Sequence, residues 1–284
     1  MGLRFLHTSD IHLLDLQGVP PWRYLNKRLT GGINLALRRG KKHDGRLFDE
    51  MMQMVQPLSV QRVIVTGDLT NLALEPEFQL VRRKLEELPV PATVIPGNHD
   101  AYTRGSVRTR RFEQYMAPFL DGAGADVQYP FVVEHDDVVI VGLSTAIASL
   151  PLYAVGRVGD EQLSRLAAVL AQYRGSKARV VLIHHPPVPG VSKPRHDLLD
   201  ISAFGEVIAE HGAELVLHGH EHRRIESQLS GPDGPIPVHG IGSGTALSQT
   251  PGKRASFSIY DASFAKIHRE VYEWNGSVFA PVSD

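Results

Sequence analysis

A layered α/β fold, in which two mixed β-sheets face each other with helices outside as a four-layer α-β-β-α sandwich, is what this sequence predicts. Three observations carry the prediction. Short apolar runs of strand length alternate with helix-period segments as far as residue 220, and strands apolar on both faces belong to parallel crossovers. From residue 223 onward the helical period disappears and strand-like runs follow one another, as antiparallel additions do. No linker, repeat or low-complexity stretch divides the 284 residues, so 1–284 reads as a single domain with one basic, lid-like insertion at about 21–43.

The elements follow in order. Residues 3–10 (LRFLHTSD) form an apolar run that ends in polar residues, and Leu47, Met51, Met54 and Val55 share one face of a helix over 44–56. Residues 62–68 (RVIVTGD) read as a buried strand. Phe78, Val81, Leu85 and Leu88 recur at spacings of three and four in a helix over 75–88, and 92–100 (ATVIPGNHD) is a further strand with a polar end. A helix near 109–120 precedes two strand-like runs, 127–133 and 138–143, around the turn at His135, Asp136 and Asp137. A helix over 160–173 turns Leu163, Leu166, Val169 and Leu170 inward. A strand at 179–185, a helix at 202–211 and a strand at 213–220 come next, and the strands 223–229, 236–241, 255–261 and 264–274 close the chain.

Composition narrows the function. Hydrophobic residues at 42% and charged residues at 21% are globular values that exclude disordered and fibrous classes. No apolar run approaches the roughly 18–20 residues that span a bilayer. The opening MGLRFLHTSD lacks a basic stretch followed by an apolar one, so the expected location is the cytoplasm. The absence of cysteine excludes disulfides, Cys-ligated zinc, iron–sulfur clusters and thiol nucleophiles. A net charge of −1 gives no reason to expect nucleic acid as a partner. The charge is uneven, however. Between Asp15 and Asp44 no acidic residue occurs, while Arg23, Lys27, Arg28, Arg38, Arg39, Lys41 and Lys42 are interleaved with Trp22, Leu25, Leu29, Ile33, Leu35 and Leu37.

One regularity bears on chemistry. Each central strand of the alternating region, five in all, ends in residues able to hold a metal: Asp10 and His12, Asp68, Asn98 with His99 and Asp100, His184 with His185, and His218, His220 and His222. In open α/β sheets, sites form beyond the carboxyl ends of the strands. Asp10 and His12 are two apart, as are His220 and His222, so at the end of a strand each pair points the same way. The two oxygens of Asp68 can bridge two cations, and Asn98 offers a neutral carbonyl oxygen. Glycines 67, 97 and 219 stand before candidate ligands, where the chain must turn with little bulk. Imidazole and carboxylate without sulfur suit manganese, iron, zinc or cobalt.

The ordered series DIH, GD, GNHD, HH and GHEH, within residues 8–222, resembles the calcineurin-like metallophosphoesterase family, of the bacterial phosphodiesterase type. The resemblance implies the metallophosphatase form of the sandwich and a hydrolase with two divalent transition ions, manganese or iron before zinc or cobalt. It implies one ion held by Asp10, His12, Asp68 and His222 and the other by Asp68, Asn98, His184 and His220. His184 is taken over His185 as the first histidine after its strand, which leaves His185 behind the ligands or pointing inward. His99 is implied as the catalytic residue beside the substrate phosphate. Asp100 either orients His99 or caps the following helix. Many members carry a second Asp three residues after the GD motif, where this chain has Asn71, an amide that can orient His99 but cannot raise its pKa as a carboxylate would.

The expected activity is hydrolysis of phosphodiesters by a dinuclear-metal-activated hydroxide, with a phosphate ester as substrate. HHPP at 184–187 and GNHD resemble bacterial cyclic-nucleotide and glycerol-type phosphodiesterases. Three other readings stand beside it: a UDP-diacylglucosamine-type pyrophosphatase acting on a lipid precursor at the membrane surface, a nuclease suggested by HTSDIHL, and a non-catalytic scaffold, against which the complete ligand set argues. The segment 21–43 reads either as a solvated helix or as a lid. A lid of this charge suits an anionic substrate or an anionic membrane surface, with peripheral contact at the inner face of the membrane.

Overall fold

The computed structural model describes residues 2–29, 31, 32, 42–120, 122 and 124–282. The first sheet begins with β1 (Leu3–Thr8), β2 (Arg62–Val65) and β3 (Ala92–Val94). The second holds β4 (Phe131–Glu134), β5 (Val138–Gly142), β6 (Ala178–Leu182), β7 (Leu215–His218), β8 (Ile225–Gly231) and β9 (Gly234–Gly240). The chain then returns to the first sheet through β10 (Ser256–Ala262), β11 (Ile267–Trp274) and β12 (Phe279–Pro281). The sheet orders are β12-β11-β10-β1-β2-β3 and β4-β5-β6-β7-β9-β8. β1, β2 and β3 pair in parallel, as do β5, β6, β7 and β9, while the outer pairings of both sheets are antiparallel. Both sheets are therefore mixed.

The helices are α1 (Arg46–Gln53), α2 (Glu75–Glu86), α3 (Arg104–Arg108), α4 (Arg111–Met116), α5 (Asp160–Tyr173) and α6 (Ile201–His211). The period-2 rule of a strand divides the core. Val138 and Ile140 of β5, Val180 and Leu182 of β6, and Leu215 and Leu217 of β7 join Phe5 and Ile64 of the first sheet. Their neighbours Val139, Val141, Val181 and Val216 pack instead on Leu166 and Leu170 of α5 and Phe204 and Ile208 of α6. Strands apolar on both faces thus lie between a facing sheet and a helical layer. Each large side chain removed from water there contributes about 1.5–3 kcal/mol.

Three stretches differ from the sequence reading. The helix expected near 109–120 is α4 alone, followed by a 3₁₀ turn at Ala117–Phe119 that contains Pro118 and preceded by Arg110 at φ 47°. A left-handed residue and a missing backbone donor bracket one short helix. The strand expected at 127–133 is β4, entered from a 3₁₀ turn at Gly124–Asp126. β12, three residues long, has too little sequence to show a period. The strands also stop short of the polar residues that follow them. β1 ends two residues before Asp10, β2 three before Asp68, β3 four before Asn98, and β6 and β7 two before His184 and His220. All the candidate ligands therefore sit on loops at one edge of both sheets.

Candidate metal centre

The ligand loops are built on unusual backbone. Asp10 (φ 52°), His12 (42°), Asp68 (53°), His220 (74°) and His222 (50°) are all left-handed. A non-glycine residue in this region costs roughly 1–2 kcal/mol, and such residues persist only where their surroundings over-determine them. Here the Asp10 N–H donates to the Gly67 carbonyl (2.9 Å), His12 N–H to Asp68 (3.1 Å) and Leu13 N–H to Leu69 (2.9 Å), and Gly219 N–H donates to the His184 carbonyl (3.1 Å). The pairs Asp10/His12 and His220/His222 therefore share a direction through alternate left-handed residues, not through strand pleating. Two glycines permit the close approach: a Cβ on Gly97 would meet Asp68 Oδ1, and one on Gly219 would meet Ser9 Oγ and Asp10 Oδ2.

The first group of donors is Asp10, His12, Asp68 and His222, whose ligating atoms all lie within 4.8 Å of one another. His12 Nδ1–H donates to the Thr70 carbonyl (3.1 Å), which turns the Nε2 lone pair toward His222 Nε2 at 3.2 Å. Asp10 Oδ2 accepts the His220 N–H (2.9 Å), while its buried Oδ1 has no hydrogen bond and lies 3.2 Å from His222 Nε2. Burial opposes ionisation of Asp10, but His222 beside it prevails and holds the carboxyl well below the usual range.

The second group faces it across Asp68. His184 Nδ1–H donates to the Thr66 carbonyl (2.7 Å), so its Nε2 lone pair meets Asn98 Oδ1 at 3.3 Å and Asp68 Oδ1 at 3.5 Å. His220 Nε2–H donates to the His196 carbonyl (3.0 Å), which leaves Nδ1 facing His184 Nε2 at 3.3 Å. Burial keeps His220 neutral, far below its ordinary pKa, with His185 and His184 adding to the effect. Asp68 Oδ1 belongs to this group, and Oδ2 lies 3.8 Å from His12 Nε2 in the first. Asn98 Oδ1, His220 Nδ1 and Asp68 Oδ1, acceptors all turned toward the His184 Nε2 lone pair at 3.3–3.5 Å, repel it unless positive charge lies among them. Ionised carboxylates and neutral imidazoles with one nitrogen fixed on a carbonyl are the states that hold a metal, so the residues present fit the group that the sequence implies.

The surrounding side chains are distributed as follows. His99 Nδ1–H donates to the main-chain carbonyl of Asn71 (2.7 Å), and the His99 ring stacks on Tyr102 and meets His12 edge-on, with centroids 5.4 and 5.1 Å away. The Asn71 side chain turns the other way, donating to the His12 (2.8 Å) and Leu13 (3.2 Å) carbonyls. Thus the backbone of Asn71, not its amide group, meets His99. Asp100 accepts from the N–H groups of Leu69, Thr70 and Gly97 and from Thr70 Oγ1, which ties the loop after β2 to the loop after β3. The cap of α3 is Thr103. Glu77 accepts from Asn71, Leu72 and Leu74 N–H and fixes the turn that presents the Asn71 carbonyl. His185 is fully buried, bonded to Thr145 Oγ1 (2.7 Å) and the Ala154 carbonyl (3.1 Å), with its ring against His220.

Sequence reasoning passed over two features. His43 joins His12 and His222 in a second group of ligating atoms within 4.8 Å; it follows no strand, so position gave no signal. Beside the centre, Lys27 Nζ lies over the Tyr102 ring (4.7 Å) and bonds Ser149 Oγ (2.9 Å), which brings exposed Trp22, Leu25 and Leu29 to the loop of exposed Leu150 and Leu152. Of the basic segment, Arg23 pairs with Glu75 and buried Arg28 donates to the Leu72 and Ala73 carbonyls. Arg38, Arg39 and Lys41 lie outside the described residues. Among the described residues no helix is long and apolar enough to cross a membrane.

Known proteins resemble this one at the level of fold and of sequence. A dimetal phosphatase from Danio rerio superposes with a TM-score of 0.63 at 15% identity, over 99% of this chain and 98% of that one. A purple acid phosphatase from yellow lupin seeds gives 0.65 at 12% identity, over 99% of this chain and 53% of that one. The glycerophosphodiester phosphodiesterase GpdQ of Enterobacter lignolyticus is 30% identical over 128 residues, which are 45% of this chain and 42% of that protein, so the chain spans less than half of that relative's length. A Synechococcus sp. protein named "Probable cyclic nucleotide phosphodiesterase" is 30% identical over 226 residues, 78% of this chain and 74% of that protein. The family pattern itself matches residues 3–224, which include every donor of both groups, and on that ground the chain belongs to the calcineurin-like phosphoesterase family.

Proposed function

We propose that the protein is a metal-dependent phosphodiesterase that binds two transition cations, one among Asp10, His12, Asp68 and His222 and the other among Asp68, Asn98, His184 and His220. The observation that carries this reading is the division of Asp68, whose two carboxylate oxygens face separate groups of acceptors. Manganese or iron suits donors that mix imidazole, carboxylate and one amide oxygen. When bound, such a pair supplies Lewis acidity and a water acidic enough to act as a nucleophile near neutral pH.

The chain's own residues do the rest. The Asn71 carbonyl fixes the Nδ1–H tautomer of His99 and so directs Nε2 toward the ester. As the P–O bond breaks, His99 in its protonated form donates from Nε2 to the departing oxygen. His185, with both nitrogens bonded, holds the His220 ring in place and takes no proton. The names of the two relatives direct the choice of substrate to small diesters, a glycerophosphodiester or a cyclic nucleotide. The test is a hydrolysis panel on manganese-loaded protein: bis-p-nitrophenyl phosphate, glycerophosphocholine, cyclic AMP, p-nitrophenyl phosphate, a UDP-linked lipid precursor and single-stranded DNA. Turnover of the small diesters above the others is the expected result. Protein that carries two ions and cleaves none of the diesters would refute the proposal.

A further inference from the structure

On the flank of the sandwich, β8 and β9 of the second sheet face β10 and β11 of the first. A cavity of about 590 Å³ opens there, lined by Arg224, Glu226, His239, Arg269 and Val271, none of them a candidate metal ligand. We propose that this cavity is a binding site for a phosphate group, carried by inorganic phosphate or by a small phosphate monoester, with Arg224 and Arg269 as its two cationic donors. The site stands apart from the two-cation reading and does not depend on it.

Register brings the groups together. Glu226 pairs with His239 across β8 and β9, and Arg269 with Tyr260 across β10 and β11. With the period of two, Arg224 shares the face of Glu226, and Val271 that of Arg269. Two contacts join the facing sheets: Arg269 Nη1 donates to Glu226 Oε1 (3.1 Å), and His239 Nδ1 is bonded to the Tyr260 hydroxyl (3.1 Å). Arg224 is fixed at the entrance to β8 by its own N–H on the Gly252 carbonyl (2.7 Å), and Glu273 Oε1 accepts the Gly252 N–H (2.9 Å).

In this cavity the donors outnumber the acceptors. A guanidinium has five N–H groups, no acceptor and a permanent charge. Arg269 commits Nε–H to Ser258 Oγ (3.1 Å) and Nη1 to Glu226, while its buried Nη2 has no acceptor among the described residues. Arg224 Nη1 is likewise buried without one. Glu226 is the one acidic residue of the lining; it is already paired with Arg269, and its side chain is 61% exposed against 10% for that arginine. Burial, with Arg269 adding to it, pushes His239 down to about 3, so the imidazole brings no charge near neutral pH. Two guanidiniums therefore meet one carboxylate where an uncompensated cation is costly. Water satisfies an N–H but supplies no charge, whereas an anion supplies both. The shape of the anion follows from where the donors stand. A planar carboxylate is best matched by the paired N–H groups of a single guanidinium. The diverging oxygens of a phosphate group can accept from two guanidiniums on facing sheets. Val271 offers an apolar wall to the organic part of an ester, and the volume leaves room for it.

The test uses the full chain in EDTA, so that no cation at the metal centre competes for the anion. Inorganic phosphate, glycerol 3-phosphate and acetate are titrated calorimetrically at constant ionic strength. Wild type should bind one phosphate group per chain, at least about tenfold more tightly than acetate, and the tighter of the two phosphates names the source. Arg224→Gln should weaken that complex by about tenfold or more, the worth of one hydrogen bond to a charged group. In chloride the same variant should melt no lower than wild type, since its Nη1 has no partner to lose. Arg269→Gln should weaken binding at least as much. Arg174→Gln, which removes an arginine paired with Asp233 on the surface, should change nothing. The inference is overturned by the absence of saturable phosphate binding, by acetate binding as tightly, or by affinity that Arg224→Gln leaves unchanged. Equal weakening by Arg174→Gln would show a diffuse surface attraction in its place. A melting temperature several degrees lower for Arg224→Gln in chloride would show that the guanidinium is already satisfied within the fold, which overturns it equally.

Discussion

The loops that carry the candidate ligands and the apolar rim beside them are made on opposite terms. In the loops five residues are held left-handed by backbone hydrogen bonds, and Asp10, His184 and Asp100 are essentially removed from solvent. In the rim, Trp22 is 67% exposed, Leu25 78% and Leu152 80%, and its two halves meet through the Lys27–Ser149 hydrogen bond, with Lys27 over Tyr102. Over-determination keeps a strained loop in place. Weak packing leaves a rim free to change without cost to the fold. The comparison teaches that geometry for chemistry resides in the first region and that any choice among esters has room to reside in the second.

Four variants would sharpen or break that contrast. Asp68→Asn should have the largest effect, abolishing diester hydrolysis and reducing bound manganese from two ions toward one or none, because a neutral amide does not bridge two cations; metal analysis beside a turnover assay checks it. Next, His99→Ala should slow turnover by about 10²–10⁴ while leaving metal content at the wild-type level. That loss should shrink for p-nitrophenolate esters, which need little help to leave, and a loss of metal would show that His99 is a ligand instead.

The third effect is on stability. Burial, with Asp100 adding to it, pushes Glu77 up to about 7 from an ordinary 4.5. A carboxyl raised in the folded state contributes stability that is complete below 4.5 and is lost as pH rises through about 7. Metal-free wild type should therefore lose stability relative to Glu77→Gln across that window, by on the order of 3 kcal/mol. Melting curves of both proteins from pH 4.5 to 8 would expose the error if they ran parallel. The smallest effect belongs to the rim. Leu25→Ala with Leu152→Ala should change stability by less than about 0.5 kcal/mol and leave bis-p-nitrophenyl phosphate turnover at the wild-type level. A tenfold loss on that small diester would place the rim in the catalytic region after all.

Sequence made the first region legible and the second not, for a physical reason. Parallel strands buried on both faces are continuous Val, Ile and Leu runs, so Asp10, Asp68, Asn98, His184 and His220 stand out as polar residues just beyond them. The left-handed backbone of Asp10, His12, Asp68, His220 and His222 was hidden, since Asp and His tolerate positive φ without marking it as glycine does. The partners of Asp100 were hidden because they are backbone N–H groups, which every residue has. Asn71 shows the same limit, as its side chain drew attention while its carbonyl meets His99. His43 was missed because nothing local distinguishes it; loop 243–247, some two hundred residues away, gives it a place.

The separation of the donors between the two sheets has one more consequence. Asp10, His12, Asp68 and Asn98 follow strands of the first sheet, whereas His184, His220 and His222 follow strands of the second. Under the two-cation reading each ion draws on both, so loading would rivet the open seam of the sandwich in a chain that has no cysteine for any covalent staple. Such a rivet strengthens with supply, by about 4 kcal/mol once free ion exceeds its dissociation constant a thousandfold, and a chelator withdraws it. Amide exchange should then slow on metal addition at the carboxyl ends of β1, β2, β6 and β7 together, and slowing confined to one sheet would show that the seam is not what the ions hold. The rigidity of the protein would in that case be set from outside, by the metal its surroundings provide.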